Sequence, residues 1–446
     1  MILLLYSPTF YLIFIKTDLM RSNIPSDTVD DILPGDEFDD SVGHILVHSD
    51  NLDQKRSKKD LDFEKNVQNL VSKTVTTVAF YEGFLMKWIY SFEPFESLVE
   101  CTCPSQSVVY MAMVSEPSEM ADYDVTVFPQ DIGRRRPTVS EWAALYQTRK
   151  RYNKQQWWVY ATHDCYTNLQ PIIPPQPFAE NSFDLSVTYH SKSDIVLSFG
   201  HYDRSSYSPQ KRRNWAESKE YLIAWTPHAT LSSKSSDKPW QDAFLERLGQ
   251  RIEVHKYGHN GKARKIPTSE IEWRKIMEKY KFHLSFENNC CDEYITETFW
   301  QILAWGVVPV VIGAPKEDYL RVAPPHSFVY ADKFETLDKF VNYIKLLDSD
   351  DELYNEYFKW KEKGRVESHF PFSGNSSSTE REIPKSSIYS CNNACRIAEK
   401  YVAESNRNLK SKSEARSYFN PRGKWWAQSC GDCGTHDWIR KYKEGR

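Results

Sequence analysis

Residues 279–315 read KYKFHLSFENNCCDEYITETFWQILAWGVVPVVIGAP, and this stretch decides the fold. It opens with alternating apolar residues typical of a strand and continues into a polar loop that contains two cysteines. A helix then begins at Thr296 and Glu297, and an apolar strand follows at 307–312. Strand, loop, helix and strand form a βαβ unit, which binds ligands at the carboxyl ends of its strands. The polar side chains of the loop therefore predict a sugar or nucleotide site.

The same alternation of strands and helices extends to both sides of this stretch. Apolar runs at 74–84, 108–114, 125–129 and 157–162 predict buried strands, and residues 138–149 predict a helix. A second series has strands at 221–225 and 252–255 and helices at 240–249, 269–279, 334–347 and 353–363. Two successive α/β domains with largely parallel sheets are the expected fold class. The expected boundaries are 74–210 for the first domain, 211–370 for the second and 371–446 for a cysteine-containing basic tail.

The N-terminal segment predicts an attachment to a membrane. The first fifteen residues are mostly apolar, but they are shorter than the roughly 20 residues that a membrane helix needs. A shortened signal anchor within 1–20, an imperfect signal peptide and a misassigned start all fit this pattern. Residues 21–73 are polar and charged without apolar periodicity, which predicts a stem or disordered linker. The net charge of −4 gives no reason to expect nucleic-acid binding.

Nine cysteines include two close pairs near the C-terminus, Cys391/Cys395 and Cys430/Cys433. Such pairs fit a zinc site or, in a secreted protein, disulfides. A glycosylation sequon at Asn375 favours disulfides, and the odd total leaves at least one cysteine outside any set of intrachain pairs. The basic, tryptophan-containing tail itself predicts a solvated appendage.

Several carboxylates are candidates for chemistry at the ends of the predicted strands. If the two domains enclose a sugar-nucleotide site, inverting glycosyl transfer needs a carboxylate that takes the proton of the attacking hydroxyl. Asp164 and Asp194 lie near the ends of predicted strands, and Glu297 lies at a helix start. From the residues alone, Asp194 fits a strand cap better than a base. Glu297 could equally be a carboxylate that stabilises the helix start or a residue that binds a ligand. Asp164, taken alone, is more typical of an acidic loop residue than of a catalytic base.

Four blocks in fixed order resemble the α1,3-fucosyltransferase family. They are FHLSFENNCCDEYITETFW at 282–300, GVVPVVIGAP at 306–315, APPHSFVYADKF at 323–334 and YNEYFKW at 354–360. A weaker similarity covers FDLSVTYHSKSDIVLSFG at 183–200. The resemblance implies a GT-B fold with two facing Rossmann-like domains, GDP-fucose as the donor substrate and no required metal or other cofactor. It also implies a type II membrane protein of the Golgi or, alternatively, the endoplasmic reticulum.

The resemblance also assigns roles to individual residues. Asn288, Tyr294 and Glu297 fall on donor-binding positions of the family motif. Asp164 falls where the family has a glutamate, which makes it the expected general base.

Three positions depart from the family pattern around the donor. Thr298 stands where the family has a lysine, His190 where it has an arginine, and His283 where it has an aromatic residue. The phosphate-binding arginine has no certain counterpart, and Lys238 or Lys234 is expected to supply the charge near the diphosphate.

The resulting expectation is an inverting fucosyltransferase that acts on a hydroxyl of a glycan, α1,3 to GlcNAc. The alternatives are a catalytically silent member that binds a glycan or protein, a protein O-fucosyltransferase, and a transferase for another sugar nucleotide. The expected partners are GDP-fucose, a glycan or glycoprotein acceptor and a membrane.

Overall fold

A computed structural model divides the chain into two units, residues 1–74 and residues 75–446. The described residues all belong to the second unit: 75–82, 98–130, 138–152, 156–169, 173–176, 178–204, 213–227, 239–258, 263–267, 269–369, 387–410, 418–431, 433 and 438. The expected anchor and stem, the sequon at Asn375, Lys234 and Lys238 lie outside the described residues.

The first half of the second unit is built on a seven-stranded sheet in the order β2-β3-β1-β4-β5-β6-β7. Only the β2–β3 pair is antiparallel. The central strands are buried along nearly their whole length, as expected for parallel strands covered on both faces. The strands are β1 Val75–Tyr81, β2 Val99–Thr102, β3 Val108–Val114, β4 Val125–Pro129, β5 Trp157–Ala161, β6 Leu185–Thr188 and β7 Ile195–Val196.

The second half is built on a five-stranded, all-parallel sheet in the order β10-β9-β11-β13-β14. Its strands are β9 Tyr221–Trp225, β10 Val254–Lys256, β11 Tyr280–Phe286, β13 Val308–Ile312 and β14 Val329–Tyr330. Two small antiparallel ladders complete the strands. One pairs β8 Gly200–Asp203 with β15 Arg365–Ser368, and the other pairs β12 Cys290–Cys291 with β16 Cys430–Gly431.

Helices connect the strands of both sheets. They are α1 Val139–Tyr152, α2 Tyr166–Leu169, α3 Phe178–Asn181, α4 Pro239–Gly249, α5 Glu270–Met277, α6 Glu297–Ala304, α7 Lys316–Val322, α8 Leu337–Ser349, α9 Asp351–Asn355, α10 Cys391–Lys410 and α11 Lys424–Ala427. Short 3₁₀ turns lie at Glu119–Asp122, Ala331–Lys333 and Glu356–Glu362. The expected helix over 353–363 is therefore wrong in part, because α9 ends after one turn and continues as 3₁₀.

The two halves share one apolar core. It joins Phe128 and Trp158 of the first half with Tyr294 and Phe299 of the second, together with Trp426 from the C-terminal tail. Two Rossmann-like halves with parallel sheets and a common core form the GT-B type of fold that the sequence predicts.

The chain crosses between the halves through the β8–β15 ladder, which packs against helix α6. Gly200 on β8 lies directly beneath the Trp300 ring. The Tyr202 hydroxyl donates a hydrogen bond to the backbone oxygen of Trp360 at 3.1 Å. This ladder therefore connects the first half to the helix that follows the polar loop.

The tail returns to both halves, so the expected solvated appendage is wrong for its described residues. Helix α10 lies on the first sheet, where Ala394 and Ile397 are buried among its side chains. Trp426 is fully buried in the shared core. The physical reason is that the apolar side chains of this segment are removed from water when they pack against apolar side chains of the sheets.

Four disulfides fix the tail, and the expected disulfide chemistry of the cysteines is confirmed. The close pairs at the C-terminus bind distant partners, which excludes a zinc site formed by those two pairs together. The bridges are Cys101–Cys391, Cys103–Cys395, Cys290–Cys433 and Cys291–Cys430, and Cys165 lies outside them.

Among the helices that the structure describes, none combines the length and the apolar character that crossing a bilayer requires.

Replacing Gly200 by alanine is expected to destabilise the fold. A Cβ atom at this position would lie 2.5 Å from Trp300 Cδ2 and 2.7 Å from the backbone oxygen of Glu367. Overpacking of this kind costs about 1–3 kcal/mol, which urea unfolding would measure. Gly249→Ala is the matched control, because a Cβ there meets nothing within 4 Å and alanine favours the helix. Equal stabilities of the two variants would contradict the close packing at the ladder.

Candidate functional site

The polar loop after β11, residues 287–296 (the β11 loop), is closed by a buried carboxylate. Glu287 Oε1 accepts the backbone N–H of Thr296 at 2.9 Å, and Glu287 Oε2 accepts the Thr296 hydroxyl at 2.9 Å. Both residues are buried. A negative group at this place also suits the N-terminus of α6, which begins at the next residue. Glu287 thus joins the two ends of the loop that carries the predicted donor residues.

The loop after β5, residues 162–165 (the β5 loop), presents Asp164 at the carboxyl end of its strand. The backbone N–H of Asp164 donates to Thr162 Oγ1 at 2.9 Å, and Asp164 Oδ1 accepts from Asn168 Nδ2 at 3.2 Å. Asn168 Oδ1 in turn accepts from Asn289 Nδ2 at 2.7 Å. Because Asn289 belongs to the β11 loop, this chain of hydrogen bonds links the two halves at the predicted site.

Tyr294 lies where the two loops meet. Its side chain is buried, and burial is the main cause that raises its pKa well above the ordinary value. The negative charge of Asp164 adds most to this effect, and those of Glu287 and Glu297 add further. The structure therefore brings Asp164, Tyr294 and Glu297 together, although Asp164 lies on the first half and the others on the second.

The remaining predicted site residues have more varied surroundings. Asn288 and Thr298 are half-buried on either side of Tyr294 in the sequence. His283 is buried in β11, with Nε2 3.1 Å from Thr226 Oγ1 and Nδ1 3.0 Å from Ser285 Oγ. The structure thus gives His283 partners within the protein, and its contact with a donor stays a prediction. Asp194 accepts from the N–H and the hydroxyl of Ser186, both at 2.8 Å, as expected for a strand cap.

Residues 216–413 match the model of glycosyltransferase family 10 (fucosyltransferase), C-terminal part. Over these residues the chain resembles a divergent member of this family. The matched region contains the whole second sheet, the β11 loop and α10, whereas the β5 loop with Asp164 lies outside it.

Individual proteins show the same relationship. The chain is 33% identical over 189 residues to glycoprotein 3-alpha-L-fucosyltransferase A of Drosophila melanogaster, which covers 41% of this chain and 37% of that protein. It is 32% identical over 207 residues to 3-galactosyl-N-acetylglucosaminide 4-alpha-L-fucosyltransferase FUT3 of Homo sapiens, over 45% of this chain and 54% of that protein. The chain thus spans about half the length, or less, of these relatives.

A crystal structure of an alpha1,3-fucosyltransferase with GDP-fucose aligns with a TM-score of 0.42 at 14% identity, covering 77% of this chain and 93% of that chain.

Beside Tyr294, the Glu293 carboxylate of the β11 loop binds groups of both halves. Glu293 has a positive φ of 60° and accepts the N–H and hydroxyl of Ser191 at 2.6 and 2.7 Å. Arg321 Nη2 lies 3.1 Å from Glu293 Oε1. Burial alone would raise the pKa of Glu293, but the hydrogen bonds from Ser191 and the charge of Arg321 lower it. Glu293 therefore stays charged and joins the two halves through Ser191.

His190 occupies the position where the resemblance expects an arginine. Its Nδ1 accepts the N–H of Lys192 at 3.1 Å and lies 3.8 Å from Glu293 Oε1. Burial is the main cause that lowers the pKa of His190, so the ring is neutral near pH 7. Glu293 pairs instead with Arg321 from α7, which no sequence pattern indicated. Glu293 itself lies in the polar loop of the sequence, so its position there could have marked it as a candidate.

The buried His283 is expected to make stability depend on pH. Burial lowers its pKa from 6.5 to about 3, so the folded state keeps it neutral while the unfolded state takes up a proton below 6.5. The contribution of neutral His283 to the free energy of unfolding is fully present above pH 6.5 and is lost as the pH falls towards 3. Between pH 6.5 and 5 the loss is about 2 kcal/mol.

The measurement compares urea unfolding of the protein and of His283→Gln at pH 7 and pH 5. Glutamine keeps hydrogen-bonding groups but does not titrate. The stability difference between the two proteins should shift in favour of the variant at the lower pH. A difference that is the same at both pH values would contradict a neutral, buried His283.

Proposed function

We propose that this chain is an inverting fucosyltransferase that moves fucose from GDP-fucose to a hydroxyl of a glycan acceptor, α1,3 to GlcNAc. The observation that carries the proposal is the chain of hydrogen bonds from Asp164 through Asn168 to Asn289, which joins the β5 and β11 loops of two Rossmann-like halves. In a fold of this type, ligands bind at the carboxyl ends of the strands, where the β5 and β11 loops lie. The match of residues 216–413 to the fucosyltransferase family model supports fucose as the transferred sugar.

In the proposed reaction Asp164 is the general base. Its carboxylate takes the proton of the acceptor hydroxyl as that oxygen attacks the anomeric carbon of fucose, and GDP leaves from the opposite side. The hydrogen bond from Asn168 to Oδ1 orients the carboxylate. Because Asn168 also binds Asn289, the position of the base follows that of the β11 loop.

On the donor side, we propose that Glu297, Asn288 and Tyr294 hold GDP-fucose. Glu297 lies in the first turn of α6, half-buried, where a carboxylate accepts hydrogen bonds from ribose hydroxyls. Thr298 occupies the position where the family pattern has a lysine, so this turn lacks that positive charge. We propose that Lys238 supplies the positive charge near the diphosphate. The reaction proposed needs no metal ion. The location proposed is the Golgi lumen or, alternatively, the endoplasmic reticulum, with attachment through residues 1–20.

A second candidate function is favoured by the neutral state of His190. A site with an uncharged imidazole and Thr298 offers less positive charge to a departing diphosphate than the family pattern provides. This arrangement fits a member that binds GDP or a glycan without turnover. A screen with GDP-fucose and with glycan and protein acceptors separates the two functions, since only the transferase gives product.

Asp164→Asn is expected to reduce turnover by about 10²–10⁴-fold, because an amide cannot accept the proton of the attacking hydroxyl. The measurement is the transfer rate from GDP-fucose, with GDP affinity determined in parallel. GDP affinity should stay within about twofold, since the β5 loop faces the acceptor. Glu180→Gln, an exposed carboxylate of the same half, is the control and should leave the rate unchanged. Undiminished turnover in Asp164→Asn would remove it as the base.

Glu297→Ala is expected to weaken GDP binding by more than about tenfold, equivalent to at least 1.4 kcal/mol, because the ribose loses its acceptor. Isothermal calorimetry measures the affinity, and the unfolding midpoint checks that the fold is intact. Glu317→Ala, in the first turn of the neighbouring helix α7, is the matched control. Undiminished GDP affinity in Glu297→Ala would exclude this role.

A further inference from the structure

Three sulfur atoms from three separate segments meet beside the proposed site. The Sγ atoms of Cys165, Cys291 and Cys430 all lie within 4.8 Å of one another. Cys165 follows the proposed base Asp164 directly, Cys291 belongs to the β11 loop, and Cys430 belongs to the tail. Cys291 and Cys430 form a disulfide, whereas Cys165 carries a thiol. Since two of the three sulfurs are bonded to each other, the cluster does not offer three thiolates to a metal ion.

The third segment is the C-terminal strap, residues 418–431 and 433, which binds both halves. On the first half, the N–H of Phe419 donates to the Phe183 oxygen at 2.8 Å. On the second half, β16 pairs with β12, and the N–H of Asp292 donates to the Ser429 oxygen at 2.7 Å. The strap therefore lies over the junction of the β5 and β11 loops, and the three sulfurs mark the point where all three segments touch.

We propose that Cys165, Cys291 and Cys430 form a thiol–disulfide exchange centre that links the β5 loop covalently to the β11 loop. In the exchange, the Cys165 thiolate attacks Cys291 Sγ, so that a Cys165–Cys291 bond forms and the Cys291–Cys430 bond breaks. The bonding electron pair passes to Cys430 Sγ, which takes up a proton as Cys165 loses one. One thiol and one disulfide exist before and after, so no oxidant or reductant is consumed.

The surroundings favour Cys430 as the leaving sulfur. Cys165 and Cys291 are fully buried, whereas Cys430 is half-buried and has the Ser429 hydroxyl 3.8 Å from its sulfur. Partial exposure and a nearby hydroxyl stabilise a thiolate, and a better-stabilised thiolate leaves faster. Because Cys165 is buried, thiols from solution do not reach the disulfide. Cys165 itself is held close to the disulfide, so its effective concentration there is high.

The fold tolerates the exchange because a second bridge retains the strap. Cys290–Cys433 joins the same two segments and does not take part. After the exchange, Tyr294 lies three residues from a bridge to the β5 loop, and Asp164 lies one residue from it. The new bridge then limits how far Asp164 can move from the β11 loop. This consequence for catalysis rests on the proposed function, whereas the exchange itself does not.

Peptide mapping of the wild-type, full-length chain tests the exchange without any activity assay. The protein is incubated without reductant in mildly alkaline buffer, quenched with acid, unfolded with N-ethylmaleimide and digested with trypsin. Before exchange, peptides 282–316 and 425–440 are joined by two bridges, and peptide 155–192 carries an alkylated Cys165. After exchange all three peptides are joined, and Cys430 carries the alkyl group.

The expected result is a three-peptide assembly that grows with incubation time and is lost in Cys165→Ser. The Cys103–Cys395 bridge, outside the cluster, serves as an internal control and should not change. If Cys165 is alkylated completely at every time and only the two-peptide species appears, the proposal is overturned. This measurement on the wild type decides the matter even where the variant folds poorly.

The consequence for catalysis is tested separately by the transfer rate during the same incubation. The rate of the wild type should fall in step with the growth of the three-peptide assembly, and that of Cys165→Ser should stay constant. A wild-type rate that is unaffected by the assembly overturns the coupling. Absence of transfer in every sample contradicts the proposed function, while the mapping still decides the exchange.

Discussion

The site depends on the hydrogen bonds between the Glu287 carboxylate and Thr296. Glu287 is the first residue after β11, and Thr296 is the last before α6, so their contact closes the intervening loop into a ring of fixed width. A buried carboxylate is costly unless its oxygens are hydrogen-bonded, and the N–H and hydroxyl of Thr296 provide those bonds. With its ends fixed, the loop places Asn289 against the first half and Tyr294 in the shared core.

The charges around this loop differ from those of the family pattern. A neutral His190 and Thr298 replace two cationic positions, while Arg321 from α7 pairs with Glu293. The positive φ of Glu293 is unusual for a residue with a side chain and is kept by its bonds to Ser191 of the other half. The Glu293 carboxylate therefore helps to hold the junction of the halves through Ser191.

The C-terminal strap adds a covalent level to this junction. Because Cys290 and Cys291 are adjacent, two bridges attach the same short strand to the tail, and neither lets the β11 loop move independently of it. The family match ends at residue 413, so the strap lies outside the matched region. The strap also packs into the apolar core, since Trp426 is fully buried and its ring centroid lies 5.5 Å from that of Tyr189.

The sequence by itself determined the order of the main elements and the position of the site along the chain. The strands at 108–114, 125–129 and 221–225 agree with the structure to the residue, because long runs of apolar residues leave little choice of conformation. The ladders β8–β15 and β12–β16 were missed, since strands of two to four residues of mixed polarity have no periodicity of their own.

Only the tertiary structure decided which residues share the site. Asp164 and Tyr294 are 130 residues apart in the sequence, and Arg321 and Cys430 carried no local signal that they would join them. Local patterns report backbone conformation, whereas the pairing of cysteines, the partner of a buried carboxylate and the packing of a tail depend on how two separate sheets meet. That meeting is set by the shared apolar core, which no single segment of the sequence specifies.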